Sequence, residues 1–231
     1  MQTQRQHARG FTLVELLVAL GVMALMAVLS WRGLDGMSRA QAQVATHADE
    51  VLTLQTGLAQ WSADLDAIVR LPLVTALDWN GRVLRMTRRG TASPIDGVRV
   101  VGWTRRDGQW LRWQSPPLVT RGDLEIAWQQ ADLWSGNPSD EQRRLEVTVV
   151  PLADWQVFYF RGDSWTNPQS SAEGTSPLGT GGSTPGLPPA TAATATLPDG
   201  VRLILELPPG QALAGRITRD WVNPTVGGGK S

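Results

Sequence analysis

From Phe11 to Ser30 the chain runs for 20 residues in which every position except Thr12 and Glu15 is apolar or small. At about 1.5 Å of rise per residue, a helix of that length spans about 30 Å, the thickness of a bilayer core. Apolar residues then continue at three- and four-residue steps through Leu34, Met37, Val44, Ala48, Val51, Leu54, Leu58, Trp61, Leu65 and Ile68, with Arg, Asp, Gln and Thr between them. That spacing is the mark of an amphipathic helix. A single helix is therefore predicted from about residue 11 to about residue 69, stopping before Pro72, which cannot continue it. Its first half is expected to meet lipid or neighbouring helices. Its second half is expected to pack on a globular body through Leu54, Leu58, Trp61, Leu65 and Ile68. Gly33 and Gly36 each weaken a helix by about 1 kcal/mol relative to alanine, which predicts a bend or local melting just past the apolar run.

From residue 71 the pattern shortens to runs of alternating or β-branched character between turn signals. The predicted strands are Arg82–Arg88, Val98–Arg105, Trp110–Gln114, Leu124–Trp128, Leu145–Val150, Trp155–Arg161, Val201–Leu207 and Gly215–Val222. Asp107-Gly108 marks a tight hairpin between the second and third of these, and a further hairpin is expected around Pro151 to Asp154. A long helix followed by antiparallel strands makes the fold class α+β. Residues 166–196 are almost entirely Ser, Thr, Gly, Pro and Ala, too poor in apolar surface to offset the entropy of ordering, and read as an excursion between strands.

Composition narrows the chemistry. The 231 residues, less about 30 for the apolar segment and what precedes it, leave enough chain for one domain with a core. Twenty-one basic side chains against 21 acidic ones provide no basic face for nucleic acid. Cysteine is absent, so disulfides and thiolate metal sites are excluded. Arg5 and Arg9 precede the apolar run, and the bias of basic residues toward the cytoplasm sends the body to the far side of the membrane. No catalytic set emerges, and no cofactor or metal is expected. His7 and His47 are the only histidines, and a lone histidine on a polar helix face lacks a ligand set or an orienting partner. Asp64 and Asp66 could hint at calcium but lie on a helix without a ligating loop. Arg121-Gly122-Asp123 and Arg161-Gly162-Asp163 read as turns after strands. Trp103, Trp110, Trp113, Trp128, Trp155 and Trp165 lie on or beside predicted strands, where core and cross-strand packing is the default.

Glu15 does not fit a plain anchor, because a carboxylate inside a spanning helix costs about 2.5–3.5 kcal/mol and calls for a partner. Nor does the run end in the small-x-small site of a secretory signal; Ala24-Leu25-Met26-Ala27 lies inside it. The stretch Gly10-Phe11-Thr12-Leu13-Val14-Glu15, at the entrance to an apolar run behind a short basic leader, resembles the processing motif of type IV prepilins, shared by pilins and by the pseudopilins of type II secretion. The resemblance implies cleavage after Gly10 by a prepilin peptidase, N-methylation of Phe11, and a pairing of Glu15 with the new ammonium at Phe11 of its own or a neighbouring chain. Leader removal would leave 19 basic and 21 acidic side chains, about −2 in all.

Further segments, WRGLDGMSRAQ at 31–41, LQTGLAQWSADLD at 54–66 and LPDGVRLILELPPG with GRITRDWV toward the C-terminus, are similar to the J-type minor pseudopilins of type II secretion. Membership implies a pseudopilin fold: leader 1–10, transmembrane and assembly helix 11–31, amphipathic continuation 32–70, β-rich periplasmic domain 71–222 and flexible tail 223–231. It also implies I-type and K-type partners at the tip of a periplasmic pseudopilus, in an inner-membrane, single-pass protein that primes filament growth for the export of folded proteins. The readings that compete are a W-type minor pilin of the type IV pilus, which shares the motif, and a membrane-anchored periplasmic enzyme or ligand-binding protein. The last predicts a pocket of convergent polar groups instead of a flat partner face.

Overall fold

The apolar periodicity that begins at residue 11 is realised as one helix, α1 (Leu13–Asp66), three residues shorter than expected at its C-terminal end. The computed structural model describes residues 11–72, 74–90, 97–169 and 197–224. The leader 1–10, residues 170–196 of the low-complexity tract and residues 225–231 of the tail lie outside them. The chain divides into a unit ending at Asp49 and a unit beginning at Glu50. In the first, every described residue is exposed, and α1 contains a segment long and apolar enough to cross a membrane. The helix is unbroken through Gly33 and Gly36, so the expected melting does not occur.

The second unit holds nine strands among the described residues: β1 (Leu77–Trp79), β2 (Val83–Arg89), β3 (Val98–Arg106), β4 (Gln109–Gln114), β5 (Glu146–Pro151), β6 (Asp154–Arg161), β7 (Ser164–Thr166), β8 (Gly200–Leu207) and β9 (Gly215–Val222). Two helices, α2 (Arg121–Gly136) and α3 (Asp140–Arg144), interrupt them between β4 and β5. The strands form two antiparallel sheets, one ordered β1-β2-β3-β4-β5 and the other β7-β6-β8-β9. The expected α+β class is borne out.

Period-two alternation divides the first sheet between two cores. Leu84, Met86, Val101, Trp103 and Trp110 face the end of α1, where Leu54, Trp61 and Leu65 join them with Trp155, Val157, Val201, Leu203 and Leu205 of the second sheet. Val83, Val100, Leu111 and Trp113 point the other way and are covered by Leu124, Ala127, Ala131 and Trp134 of α2. A sheet buried on both faces explains the nearly continuous burial along β2 and β3. The stripe expected from Leu54 to Ile68 is borne out as packing, with Leu58 and Ile68 partly buried at its margin. Of the six tryptophans assigned to core, Trp128 and Trp165 are only half-buried.

Both hairpin expectations rested on local turn chemistry, and only one holds. Asp107 and Gly108 have φ of 53° and 71°, the two positive values that a two-residue turn between β3 and β4 requires. The second hairpin is a correction. β5 pairs with β4 at the edge of the first sheet while β6 lies in the second, so Pro151 to Asp154 carries the chain from one sheet to the other. In that passage Leu152 N–H bonds Gly108 C=O and Ala153 N–H bonds Glu206 C=O, each at 2.8 Å, so the two residues are held by opposite sheets.

Leu124–Trp128, expected as a strand, lies inside α2. The Thr120 hydroxyl accepts from Asp123 N–H as the N-cap, and the buried residues Leu124, Ala127, Ala131 and Trp134 recur at three- and four-residue steps. Arg121-Gly122-Asp123 is accordingly the first turn of a helix and not a turn after a strand. Arg161-Gly162-Asp163 does open a turn, with Gly162 and Asp163 at φ of 54° and 69° joining β6 to β7.

Candidate functional site

Of the residues singled out at the N-terminus, Gly10 lies outside the described residues, while Phe11 and Glu15 are exposed. Glu15 stands in the first turn of α1. Its amide donates to the Thr12 hydroxyl at 3.3 Å, and its Oε2 accepts from the Thr12 N–H and hydroxyl, both at 3.5 Å. This is the reciprocal arrangement of a capping box, a threonine before the helix and a glutamate three residues on, and it serves amides that the first turn leaves without partners. Within the single chain, Thr12 is thus the residue that Glu15 bonds.

The most elaborate polar constellation among the described residues lies elsewhere, at the other end of the same helix. Asp64 is fully buried. Its carboxylate accepts from Trp103 Nε1 at 2.9 Å, from Arg112 Nε and Nη2 at 2.8 and 2.9 Å, from Gln60 Nε2 at 2.9 Å, and from Arg88 Nη1. Alternation places Arg88, Trp103 and Arg112 of β2, β3 and β4 on the sheet face that α1 covers. Arg112 spreads its fork across both carboxylate oxygens, the bidentate geometry that gives charged hydrogen bonds direction as well as strength. Asp66, one step on, accepts from Trp221 Nε1 of β9 at 2.7 Å, and Glu50 accepts from Ala212 N–H at 2.6 Å. Asp64 and Asp66 thus tie the last turns of α1 to both sheets, and Glu50 ties an earlier turn to the β8–β9 connection. Asp64 and Asp66, at most weak calcium ligands by their place on a helix, are acceptors for these donors. The signal available was position: Asp64 follows Trp61 by three residues, on the stripe that packs inward, where an acid requires counter-charges.

Other polar groups serve the sheets. Arg202 and Asp220, opposite each other on β8 and β9, form two hydrogen bonds of 2.7 Å, and Arg202 lies 4.1 Å over the Trp165 ring. The hydrogen bond from Arg202 holds the Asp220 carboxyl below its ordinary range. Burial pushes the phenol of Tyr159 well above its usual value, Asp78 adds to that, and Arg161 opposes it. His47 is exposed on α1. A cleft of about 370 Å³ lies along β6 between Trp79, Gly81, Asn167 and Gln169, with Asp154 as its one carboxylate. Another, of about 310 Å³, lies between α2, α3 and residues 115–118; there Asp123 bonds Thr120, and Ser139 caps α3.

Residues 5–31 match the prokaryotic N-terminal methylation motif. Over 173 residues the chain is 24% identical to type II secretion system protein J of Vibrio cholerae serotype O1, a match covering 70% of this chain and 75% of that protein. Over 185 residues it is 22% identical to type II secretion system protein J of Escherichia coli, covering 71% and 83%. Among solved structures, a chain of the GspK-GspI-GspJ complex from the enterotoxigenic Escherichia coli type 2 secretion system matches with a TM-score of 0.46 and 16% identity, over 75% of this chain and 96% of that one. The resemblance to prepilin-like proteins and to J-type pseudopilins is borne out by the motif and by the two protein J relatives.

Proposed function

We propose that this chain is a J-type minor pseudopilin of a type II secretion system, a structural subunit that enters the tip of a short filament and assigns its chemistry to assembly. The observation that carries the reading is the conjunction of a prepilin-type N-terminus over residues 5–31 with similarity to type II secretion J proteins along 70% of the chain. Either alone would be compatible with other filament subunits.

In this reading a prepilin peptidase cuts between Gly10 and Phe11, and Phe11 becomes the methylated N-terminus. The body then lies on the periplasmic side, in keeping with Arg5 and Arg9 ahead of the apolar run. Thr12 serves Glu15 while the subunit is alone in the bilayer. Once the Phe11 ammonium of a neighbour comes within reach, a charged partner replaces a neutral one, and the stronger bond favours staggered packing of the helices. The carboxylate then passes through the bilayer core as half of an ion pair, at less cost than as a bare charge. The globular unit supplies the surface for the I-type and K-type subunits, with no catalytic step assigned to it.

Mass spectrometry of the protein purified from its native membrane tests the first half of this reading. A chain beginning at methylated Phe11 is expected, and any other N-terminus overturns it. Co-expression with I-type and K-type pseudopilins tests the second. A complex that co-elutes in size-exclusion chromatography is expected, and consistent separate elution of correctly processed subunits overturns the tip assignment.

A further inference from the structure

Ten of the eleven tryptophans lie in the unit that begins at Glu50, and each is buried or half-buried. Trp31 is the exception, 75% exposed on α1. It lies at a sharp boundary in charge. Leu16 to Trp31 carries no ionisable side chain, whereas Arg32, Asp35 and Arg39 follow at once. Asp35 and Arg39 pair with each other at 2.6 Å, and Arg32 has no hydrogen-bond or ion-pair partner among the described residues. An indole has an apolar body and one N–H, so its preferred surroundings are the headgroup zone at the edge of a bilayer. An arginine beside it can lay its methylenes along the apolar boundary and raise its guanidinium to lipid phosphates.

Resting on the reading of α1 as membrane-spanning, we infer that Trp31 and Arg32 form an anchor in the phospholipid headgroups of the outer face, and that this anchor sets the depth of Glu15. The distances along the helix agree. Trp31 is 20 residues from Phe11 and 16 from Glu15, or about 30 Å and about 24 Å at helical rise. With the indole at one edge of a hydrocarbon layer about 30 Å thick, Phe11 reaches the opposite edge and Glu15 lies about 6 Å beneath it. A carboxylate at that depth has little water, so the Thr12 hydroxyl or an incoming ammonium is its realistic partner. The outer anchor therefore keeps Glu15 where an ion pair is most favourable.

The test uses the full chain in phosphatidylethanolamine and phosphatidylglycerol vesicles that contain a minor fraction of phosphatidylcholine brominated either near the headgroup or near the chain ends. Trp31→Phe is the control. The tryptophans of the globular unit contribute emission that bromine does not reach. The difference between wild type and Trp31→Phe is expected to be quenched about twofold more by shallow than by deep bromine. Carbonate extraction of the same vesicles reports insertion independently. Strongest quenching by deep bromine, or no quenching of Trp31 in a chain that resists extraction, overturns the anchor and leaves the membrane-spanning reading standing. Release of the chain by carbonate overturns both.

Discussion

Replacing Asp64 with asparagine would leave Arg88 and Arg112 converging on an uncharged amide inside the protein, with Trp103 still able to donate. Breaking one side of a buried ion pair typically costs about 3–5 kcal/mol, because the remaining charge stays desolvated without compensation. Asp64→Asn is therefore expected to lower unfolding stability by about that amount in urea titrations. Asp66→Asn, at an exposed position where the neutral Trp221 indole donates, should cost clearly less. Tyr159 offers a second test, since it is the chain's only tyrosine. Its folded pKa is raised, chiefly by burial, so the neutral phenol is the form the fold retains. That stabilisation is complete below the unfolded value of about 10 and is lost as the pH climbs toward the folded value. Ultraviolet titration should show no phenolate step near pH 10 while the protein is folded, and a normal step in denaturant. At the N-terminus, Gly10→Ala should block leader removal and leave a slower-migrating band on a gel. Glu15→Ala should be processed but secrete poorly, and unchanged secretion would remove the ion pair from the mechanism.

Among the elements, α2 depends most visibly on its first turn. Thr120→Ala deletes the hydroxyl that accepts from Asp123 N–H, and a lost N-cap costs about 1 kcal/mol. Because Leu124, Ala127, Ala131 and Trp134 form one wall of the second core, that loss should register as a lower melting temperature of the whole globular unit. The same element shows where reading by pattern misled. Leu124 to Trp128 is too short to separate a two-residue period from a 3.6-residue one, and the evidence for a helix lay outside it, in Thr120, Ala131 and Trp134. The β3–β4 hairpin was legible because Asp107 and Gly108 are adjacent and their backbone angles follow from their own chemistry. The expected β5–β6 hairpin failed for the opposite reason. Nothing in Pro151 to Asp154 states that β4, some thirty residues earlier, is the better neighbour for β5.

At the scale of the molecule, the unit beginning at Glu50 contains every residue of both cores. A fragment starting there is expected to fold without detergent and to melt cooperatively in circular dichroism; a chain lacking tertiary signal would show that the preceding helix is required. What could be determined from residue order was whatever depends on neighbours within a few turns. The membrane-length apolar run, the Gly10-Phe11 junction with its acid at Glu15, the inward stripe at the end of α1 and the tight turn at Asp107-Gly108 are all of this kind, since rise per residue, side-chain period and backbone preference act locally. What only the tertiary structure decided was long-range pairing. Asp64 receives donors 24, 39 and 48 residues away, and β6 lies between β7 and β8 instead of beside β5. Such choices follow from which surfaces exclude water best once the whole chain has collapsed, and no short window of sequence contains that comparison.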